Sequence, residues 1–232
     1  MSTLQIVLTT LIVEILIIAF IGVFRWWYCR WGATPEEFLM PLPEDELAPM
    51  PSIYMTHAIT VNAPVEAVWP WFKQLGQGRG GYYSYDWLER LFGFGIHNVY
   101  RIRPELQDLK AGDHVRLHKN GMGVTVERME ENRKLVLWTD SRKLEEGRKY
   151  FVPPLPKGMH IAGYWSFTLF SRPDGATRIV ERWGIEWPPR SIWLNLILIA
   201  FGEFPSFIME QRMLRVIKKL AEGQPPENLG RL

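Results

Sequence analysis

The chain has one cysteine and almost no net charge, and both shortages exclude whole classes of protein. Cys29 is the only cysteine among 232 residues, which rules out a disulfide framework and a cysteine-based zinc site. The 27 Lys and Arg against 25 Asp and Glu leave a net charge of +2, too near neutral to indicate a nucleic-acid-binding protein. Charged residues make up 22% and apolar residues 47% of the chain, which excludes a disordered chain and a polytopic membrane protein.

Long apolar runs are also scarce, and the one that could cross a bilayer lies at the N-terminus. Residues 4–24 contain a single charge, Glu14, and as a helix they would be about 31 Å long, which matches a hydrocarbon core of about 30 Å. Residues 25–30 add two arginines and three aromatics, typical of a membrane interface. A cleaved signal peptide, the alternative, needs a basic start and a small-residue cleavage site. We therefore predict a single-pass anchor over residues 1–25, with the C-terminal domain in the cytoplasm because the nearby cations follow the span.

The rest of the chain is predicted to divide into a linker, one folded domain and a tail. Prolines at positions 41, 43, 49 and 51 prevent a long helix, so residues 26–51 are predicted to be a linker or an extended strap leading from the membrane. Residues 52–222 carry the periodic apolar patterns of a folded domain. Residues 223–232 form a polar tail.

Six segments of the domain alternate between apolar and polar residues, the pattern of a β-strand. The breaks between the later segments carry turn residues, for example Arg172-Pro173-Asp174-Gly175. Consecutive strands joined by such turns predict an antiparallel sheet. The predicted strands cover residues 52–61, 113–118, 122–129, 134–140, 159–170 and 177–187.

Helical periodicity is found between the first two strands. Asn62 is a plausible N-cap before an apolar stripe, which Pro70 should kink and Gly76 should end. After a glycine-rich loop, Ser84 can cap a second short helix.

The C-terminal stretch also has helical periodicity, in two parts separated by Gly202 and Pro205. Residues 191–201 are too short to span a bilayer alone, so they form either a buried core helix or an interfacial segment lying against the membrane. Residues 207–222 have one apolar face, which should cover the apolar face of the sheet. The expected architecture is α+β, with a curved sheet gripping a terminal helix and space between them.

Four segments resemble the START-like superfamily, which includes polyketide cyclases and Bet v 1-type binders. The resemblance implies a helix-grip fold, in which a seven-stranded antiparallel sheet surrounds a long C-terminal helix and encloses an apolar cavity. Within this superfamily the chain is particularly similar to uncharacterised membrane-anchored bacterial members with an RGGxYSYDWLE loop. A seventh strand is expected near Val99–Ile102 or Gly147–Val152. The segments that carry the resemblance are Ile59–Gly76 (ITVNAPVEAVWPWFKQLG), Gly76–Gly93, Leu109–Leu117 (LKAGDHVRL) and Gly175–Trp183 (GATRIVERW).

The segment Gly76–Gly81 satisfies the pattern G-x-G-x-x-G, but a dinucleotide site needs that pattern between a strand and a helix. Here it follows a helix and precedes an aromatic run, so we reject the nucleotide interpretation. Its four glycines instead predict a flexible lip, in which Arg79 could meet an anionic headgroup.

Aromatic residues are the other feature in excess, with 11 Trp, 12 Phe and 8 Tyr. Aromatic rings combine apolar area with polar handles, which suits an amphipathic ligand. Ordinary core packing is the alternative for each of them, Trp69 and Trp87 above all. The aromatic residues predicted to line a cavity are Trp69, Tyr82, Tyr83, Tyr85, Trp87 and Trp183.

The acid–base candidates are Glu181, His97, Asp86 and Tyr85. Glu181 alternates with apolar residues, and a carboxylate on such a face would have a raised pKa or a cationic partner. The competing register would place Arg178 and its even-numbered neighbours inside instead, and a structural ion pair is the alternative to catalysis. His97 is expected to be a polar group of the pocket or a loop histidine.

No metal or cofactor is predicted. His114 and His118 are four residues apart, but on a strand their side chains would lie about 13 Å apart, too far to share one metal.

Three functions remain open. The first is a membrane-tethered binding protein for a lipid or other apolar small molecule held in the cavity. The second is a cyclase- or hydratase-like enzyme acting on an apolar substrate. The third is an accessory structural protein whose cavity is filled by its own side chains. The predicted partners are the apolar molecule and the membrane, with no nucleic acid, and protein partners are left open.

Overall fold

A computed structural model describes residues 3–85, 87, 93, 95–144, 148–150, 158–187 and 192–224. Its sheet has six antiparallel strands in the order β1-β6-β5-β4-β3-β2. All six predicted strands are confirmed, with ends that differ by three residues at most. Their bounds are Ile53–Val61 (β1), His114–Arg116 (β2), Gly123–Glu130 (β3), Lys134–Asp140 (β4), Ala162–Ser171 (β5) and Thr177–Glu186 (β6).

The seventh strand implied by the resemblance is not found among the described residues. Residues 99–102 are irregular, and Tyr150 makes one isolated parallel bridge to Gly123. Residue 147 and residues 151–152 lie outside the described part of the chain.

Five α-helices accompany the sheet in the described residues. The helix after β1 is shorter than predicted: Pro64 occupies its N-cap position in place of Asn62, and it ends at Lys73, before Gly76. The predicted helix after Ser84 lies mostly outside the described residues. The helices are Thr3–Tyr28 (α1), Pro35–Leu39 (α2), Val65–Lys73 (α3), Ile192–Leu198 (α4) and Phe204–Ala221 (α5).

The two C-terminal helices are joined by a π-helical turn over Ile199–Glu203. Gly202 lies inside this turn, and Pro205 lies in the first turn of α5, where the missing N–H of proline is tolerated. The predicted interruption is therefore a wider helical turn and not a break. Such turns are rare and often occur at functional sites.

The inner face of the sheet packs against α5 and α3, and together they form the main hydrophobic core. Trp69 and Phe72 of α3, Phe167 of β5 and Met213 of α5 are almost wholly buried there. This α+β arrangement, with an open antiparallel sheet and a long C-terminal helix, agrees with the predicted helix-grip fold.

The outer face of the sheet is covered by the segment between α1 and β1, which we call the strap (residues 32–51). Arg178 of β6 pairs with Glu37 of the strap, with Nη2 2.7 Å from Oε2. Arg182, four residues further along β6, is fully buried and donates to backbone carbonyl oxygens of the strap. These contacts settle the register of β6: the arginines point outward and Glu181 points inward.

The chain between α1 and the strap also closes one edge of the sheet. The β1 amides of Thr56 and Ala58 donate to the carbonyl oxygens of Cys29 and Trp31 at 2.9 and 3.0 Å. An unpaired edge strand is a template for aggregation, so this pairing protects β1. It requires glycine at position 32, where φ is +72° and a Cβ atom would lie 2.1 Å from the oxygen of Ala58.

Helix α1 is apolar, and its residues 5–24 are exposed, whereas Tyr28 at its end is buried. Residues 5–28 are long and apolar enough to cross a membrane, and none of the most apolar window is buried against the rest of the protein. A signal sequence near the N-terminus can have the same length and composition.

The C-terminal end of α1 is fastened to the π-helical turn by one buried carboxylate. Glu203 is fully buried and receives two hydrogen bonds from Arg25, at 2.8 and 2.7 Å, and one from the Tyr28 hydroxyl at 2.5 Å. The thiol of Cys29 lies 3.7 Å from the same carboxylate. The end of α1 is thereby fixed to the helix that covers the sheet.

Cys29 should be a poor nucleophile because of this environment. Burial and the neighbouring Glu203 carboxylate raise the pKa of its thiol to about 12, so little reactive thiolate exists at pH 8. We expect the folded full chain to react with N-ethylmaleimide at pH 8 more than about tenfold more slowly than the same chain in denaturant. Mass spectrometry of timed samples measures both rates, and equal rates would contradict the burial of this thiol.

Candidate functional site

A cavity of about 460 Å³ lies between the inner face of the sheet and the C-terminal helices. This volume falls in the range of small-molecule sites. Its wall is almost entirely apolar, with Phe201 of the π-helical turn, 77% exposed, at the point where the wall reaches the surface. The strands contribute Ile53, Leu137, Trp165, Trp183 and Ile185, and the helices contribute Leu198, Phe201, Pro205, Met209 and Met213.

A cluster of three titratable side chains lies beside the cavity. His57 of β1 and Glu181 of β6 are directly opposite each other in the antiparallel ladder, and Glu210 of α5 closes the group from above. His57 Nδ1 lies 3.5 Å from Glu181 Oε2 and 3.2 Å from Glu210 Oε2. All three side chains are buried, and Glu210 is also part of the cavity wall. The cluster is therefore the polar part of an otherwise apolar site.

The orientation of the cluster is fixed by two further hydrogen bonds. His57 Nε2 lies 3.0 Å from the carbonyl oxygen of Tyr28, which can only accept, so Nε2 carries a hydrogen and Nδ1 faces the carboxylates. The indole N–H of Trp165 donates to Glu181 Oε1 at 2.6 Å. The Tyr28 carbonyl and the Trp165 indole thus occupy His57 Nε2 and Glu181 Oε1. The other atoms of these two side chains, His57 Nδ1 and Glu181 Oε2, face each other and Glu210 Oε2.

The electrostatics of the cluster favour protonation. Burial favours the neutral imidazole, but the adjacent Glu181 and Glu210 outweigh it and raise the pKa of His57 to about 10. Burial, together with the charge of Glu181, raises the pKa of Glu210 to about 8. Both shifts favour the protonated forms of His57 and Glu210, which places a carboxyl group with a raised pKa at the cavity wall.

Of the predicted site residues, Glu181, Tyr82 and Trp183 lie at the cavity or its cluster. Tyr82 and Trp183 line the cavity, and the Tyr82 hydroxyl donates to the carbonyl oxygen of Arg116 at 3.0 Å. Trp69 and Tyr83 are buried in the hydrophobic core. Neither is among the described lining residues of the cavity.

Arg79, Tyr85, Trp87 and His97 are not among the described lining residues of the cavity. Arg79 is engaged by Asp108 at 3.1 Å and by the carbonyl oxygen of Leu106, so it closes a loop within the protein. His97 is exposed. Tyr85 lies under the guanidinium of Arg212, 4.5 Å from the ring centre, and Trp87 is 63% exposed. Asp86 lies outside the described residues.

The predicted glycine lip is a closed turn. Gly76 and Gly81 exchange backbone hydrogen bonds of 3.0 and 3.1 Å, and both have positive φ angles. Glycine is needed because these angles disfavour other residues.

Sequence reasoning did not identify His57 and Glu210 as site residues, although a signal for each exists. Glu210 interrupts the apolar stripe of α5 between Phe207 and Met213, and a carboxylate in such a stripe needs a buried partner. His57 has the same parity along β1 as Ile53 and Met55, so it shares their inward face. His57 and Glu210 become neighbours of Glu181 only in the folded protein, where β1 pairs with β6 and α5 packs over them.

No protein-family model matches the chain, and no curated protein matches it. Solved structures do match at low identity. Hypothetical protein jhp0584 from Helicobacter pylori is 10% identical, covers 78% of this chain and 95% of its own, and has a TM-score of 0.44. MLL2253 from Mesorhizobium loti is 11% identical over 75% of this chain and 99% of its own, with a TM-score of 0.39.

CalU16 from Micromonospora echinospora is 14% identical, over 73% of this chain and 84% of its own, with a TM-score of 0.32. At these values the similarity does not bear on what this chain binds or catalyses.

Proposed function

We propose that the protein is a membrane-tethered binding protein that holds a lipid or another apolar small molecule in its cavity. The observation that carries this proposal is the cavity itself, about 460 Å³ in volume with an apolar wall. Burying apolar surface gains roughly 25 cal/mol per Å², so a wall of this kind favours an apolar occupant. This cavity also argues against the accessory role with a core filled by side chains. Membership of the START-like superfamily is part of the same proposal.

The position of the cavity supports a ligand that comes from the bilayer. Phe201 and Leu198 of the cavity wall belong to the helical stretch that also exposes Leu196 and Ile197 by more than half. Phe204, just after the π-helical turn, packs against Phe24 of α1 with ring centres 5.6 Å apart. If α1 spans the bilayer, this exposed apolar surface lies at the membrane, and a lipid can enter without crossing water. Arg25 and Arg30, after the span, favour a cytoplasmic domain.

The test is native mass spectrometry of the full chain purified from its own membranes, followed by lipid extraction. We expect an apolar ligand bound to the wild-type chain at up to one molecule per chain. Met209→Trp places a larger side chain in the cavity wall and should lower occupancy by about tenfold or more. Met209→Leu, similar in volume and polarity, is the matched control and should retain the ligand. A wild-type chain without extractable ligand, or a Met209→Trp chain that binds as well as wild type, would refute the proposal.

One observation favours the enzyme as a second candidate: Glu210, a buried acid with a raised pKa, lies in the cavity wall. Such a group could donate a proton to an apolar substrate. Glu210→Gln would then remove turnover of a substrate while ligand occupancy stays within about twofold of wild type. The two functions differ in that readout, because a binding protein has no turnover to lose.

A further inference from the structure

We propose that His57, Glu181 and Glu210 form a binding site for one divalent transition-metal ion at the wall of the cavity. The three residues come from β1, β6 and α5 and offer one imidazole nitrogen and two carboxylate oxygens. These three ligand atoms lie within 4.8 Å of one another. The site requires only these side chains and is independent of the ligand proposed for the cavity.

The spacing of the ligand atoms fits a metal ion. Ligands about 2.0–2.2 Å from a tetrahedral ion lie about 3.3–3.6 Å from each other. His57 Nδ1 lies 3.2 Å from Glu210 Oε2 and 3.5 Å from Glu181 Oε2. Small movements of side chains would therefore be enough to place all three around one ion.

The surroundings of two buried carboxylate oxygens provide a separate indication. Among the described residues, neither Glu181 Oε2 nor Glu210 Oε2 accepts a well-formed hydrogen bond. Both face the same nitrogen, His57 Nδ1, which carries one hydrogen at most and so leaves at least one of them without a donor. A buried carboxylate oxygen without a donor costs free energy. A divalent cation would coordinate both oxygens and balance the two carboxylate charges.

The surrounding hydrogen bonds are those of a metal site. Histidine ligands of metals usually donate their second ring N–H to a carbonyl or carboxylate oxygen, as His57 Nε2 does to the oxygen of Tyr28. Carboxylate ligands are in turn hydrogen-bonded, as Glu181 is by Trp165. This second shell holds the three ligand atoms toward one point.

The ligand types indicate the class of metal. One imidazole with two carboxylates and no thiolate suits Zn²⁺, Fe²⁺ or Mn²⁺ better than Ca²⁺ or Mg²⁺, which prefer oxygen ligands throughout. Three protein ligands leave coordination positions open. Because Glu210 is part of the cavity wall, an open position would be accessible from the cavity.

The test measures metal binding by the full chain in detergent after removal of metals with a chelator. Zn²⁺ and Mn²⁺ are added separately, and bound metal is measured by plasma mass spectrometry and titration calorimetry, with electron paramagnetic resonance for Mn²⁺. We expect one equivalent of at least one of these ions. Binding should weaken by more than about a hundredfold in Glu210→Gln, Glu181→Gln and His57→Asn, and by about 10–100-fold in the outer-shell variant Trp165→Phe.

Matched controls separate this site from adventitious binding. Glu66→Gln and His118→Asn change the same residue types outside the cluster and should bind as wild type does. Less than about 0.1 equivalent of either ion on the wild-type chain would overturn the proposal. Equal binding by the wild-type and a folded Glu210→Gln or Glu181→Gln chain would also overturn it. Ligand occupancy by native mass spectrometry is a separate readout, so failure of the metal site and failure of the proposed function can be distinguished.

Discussion

Arg182→Ala should lower the free energy of unfolding by about 3–5 kcal/mol, the cost typical of removing one partner from a buried ionic network. The Arg182 side chain is fully buried between β6 and the strap. It donates to the carbonyl oxygens of Met40 and Glu37 at 2.7 Å each and lies 3.1 Å from Asp45 Oδ2. Alanine would remove the guanidinium donor from the two carbonyl oxygens and leave Asp45 Oδ2 with only the backbone amide of Leu42, at 2.8 Å. Denaturant titration of the full chain in detergent, followed by tryptophan fluorescence, measures the change.

A second substitution at position 182 and one at position 178 test whether the buried hydrogen bonds of Arg182 cause this loss of stability. Arg182→Lys keeps the charge but has three donors on one nitrogen, which cannot reproduce the planar fork of the guanidinium, so its stability should lie between wild type and Arg182→Ala. Arg178→Ala removes a similar pair to Glu37 that is partly exposed and should cost only about 1 kcal/mol. Equal losses for Arg178→Ala and Arg182→Ala would mean that burial of the Arg182 network does not determine its contribution.

Glu203→Gln is expected to have the second large effect, a loss of about 3 kcal/mol. The carboxylate is fully buried and accepts hydrogen bonds from Arg25 and Tyr28. A glutamine amide removes the charge and presents a donor to the Arg25 guanidinium. Hydrogen exchange of residues 25–31, read by mass spectrometry, should show loss of protection there.

A double-mutant cycle identifies the interaction. Combining Glu203→Gln with Arg25→Met should cost less than the sum of the single changes, with a coupling energy of about 1–3 kcal/mol. Glu66→Gln, an exposed carboxylate of α3, is the control and should leave stability within about 0.5 kcal/mol of wild type. Strictly additive effects would show that Arg25 and Glu203 are not coupled in solution.

The sheet could be predicted from the sequence because its signals are local. Strand β6 alternates between apolar and polar residues over ten positions and follows a turn made by Pro173, Asp174 and Gly175. The alternating pattern and the turn residues therefore predict the same strand. The continuous C-terminal helical stretch is harder to predict from the sequence, because Gly202 and Pro205 indicate a break in most helices. In this protein Gly202 lies inside a π-helical turn and Pro205 lies in the first turn of α5. The contacts of buried Glu203 with Arg25 and Tyr28 hold the π-helical turn in place.

The candidate site could be predicted only in part. Glu181 stood out because it interrupts an apolar face, but two registers of β6 were equally compatible with the sequence. The register depends on the strap, whose Glu37 and Asp45 pair with Arg178 and Arg182 from the other side. His57 and Glu210 are 153 residues apart in the sequence, and no local sequence pattern predicts that their side chains are in contact.

The backbone pairing of residues 29 and 31 with β1 has a mechanical consequence. A domain on a flexible tether can swivel and sample a wide zone of solvent around its attachment point. Here one residue, Cys29, lies next to the end of α1 and is already bonded to the sheet through its carbonyl oxygen. If α1 crosses a bilayer, the cavity would keep a constant distance from the lipid surface and a constant orientation relative to α1. A partner that exchanges ligand with the cavity would then have to come to the membrane surface.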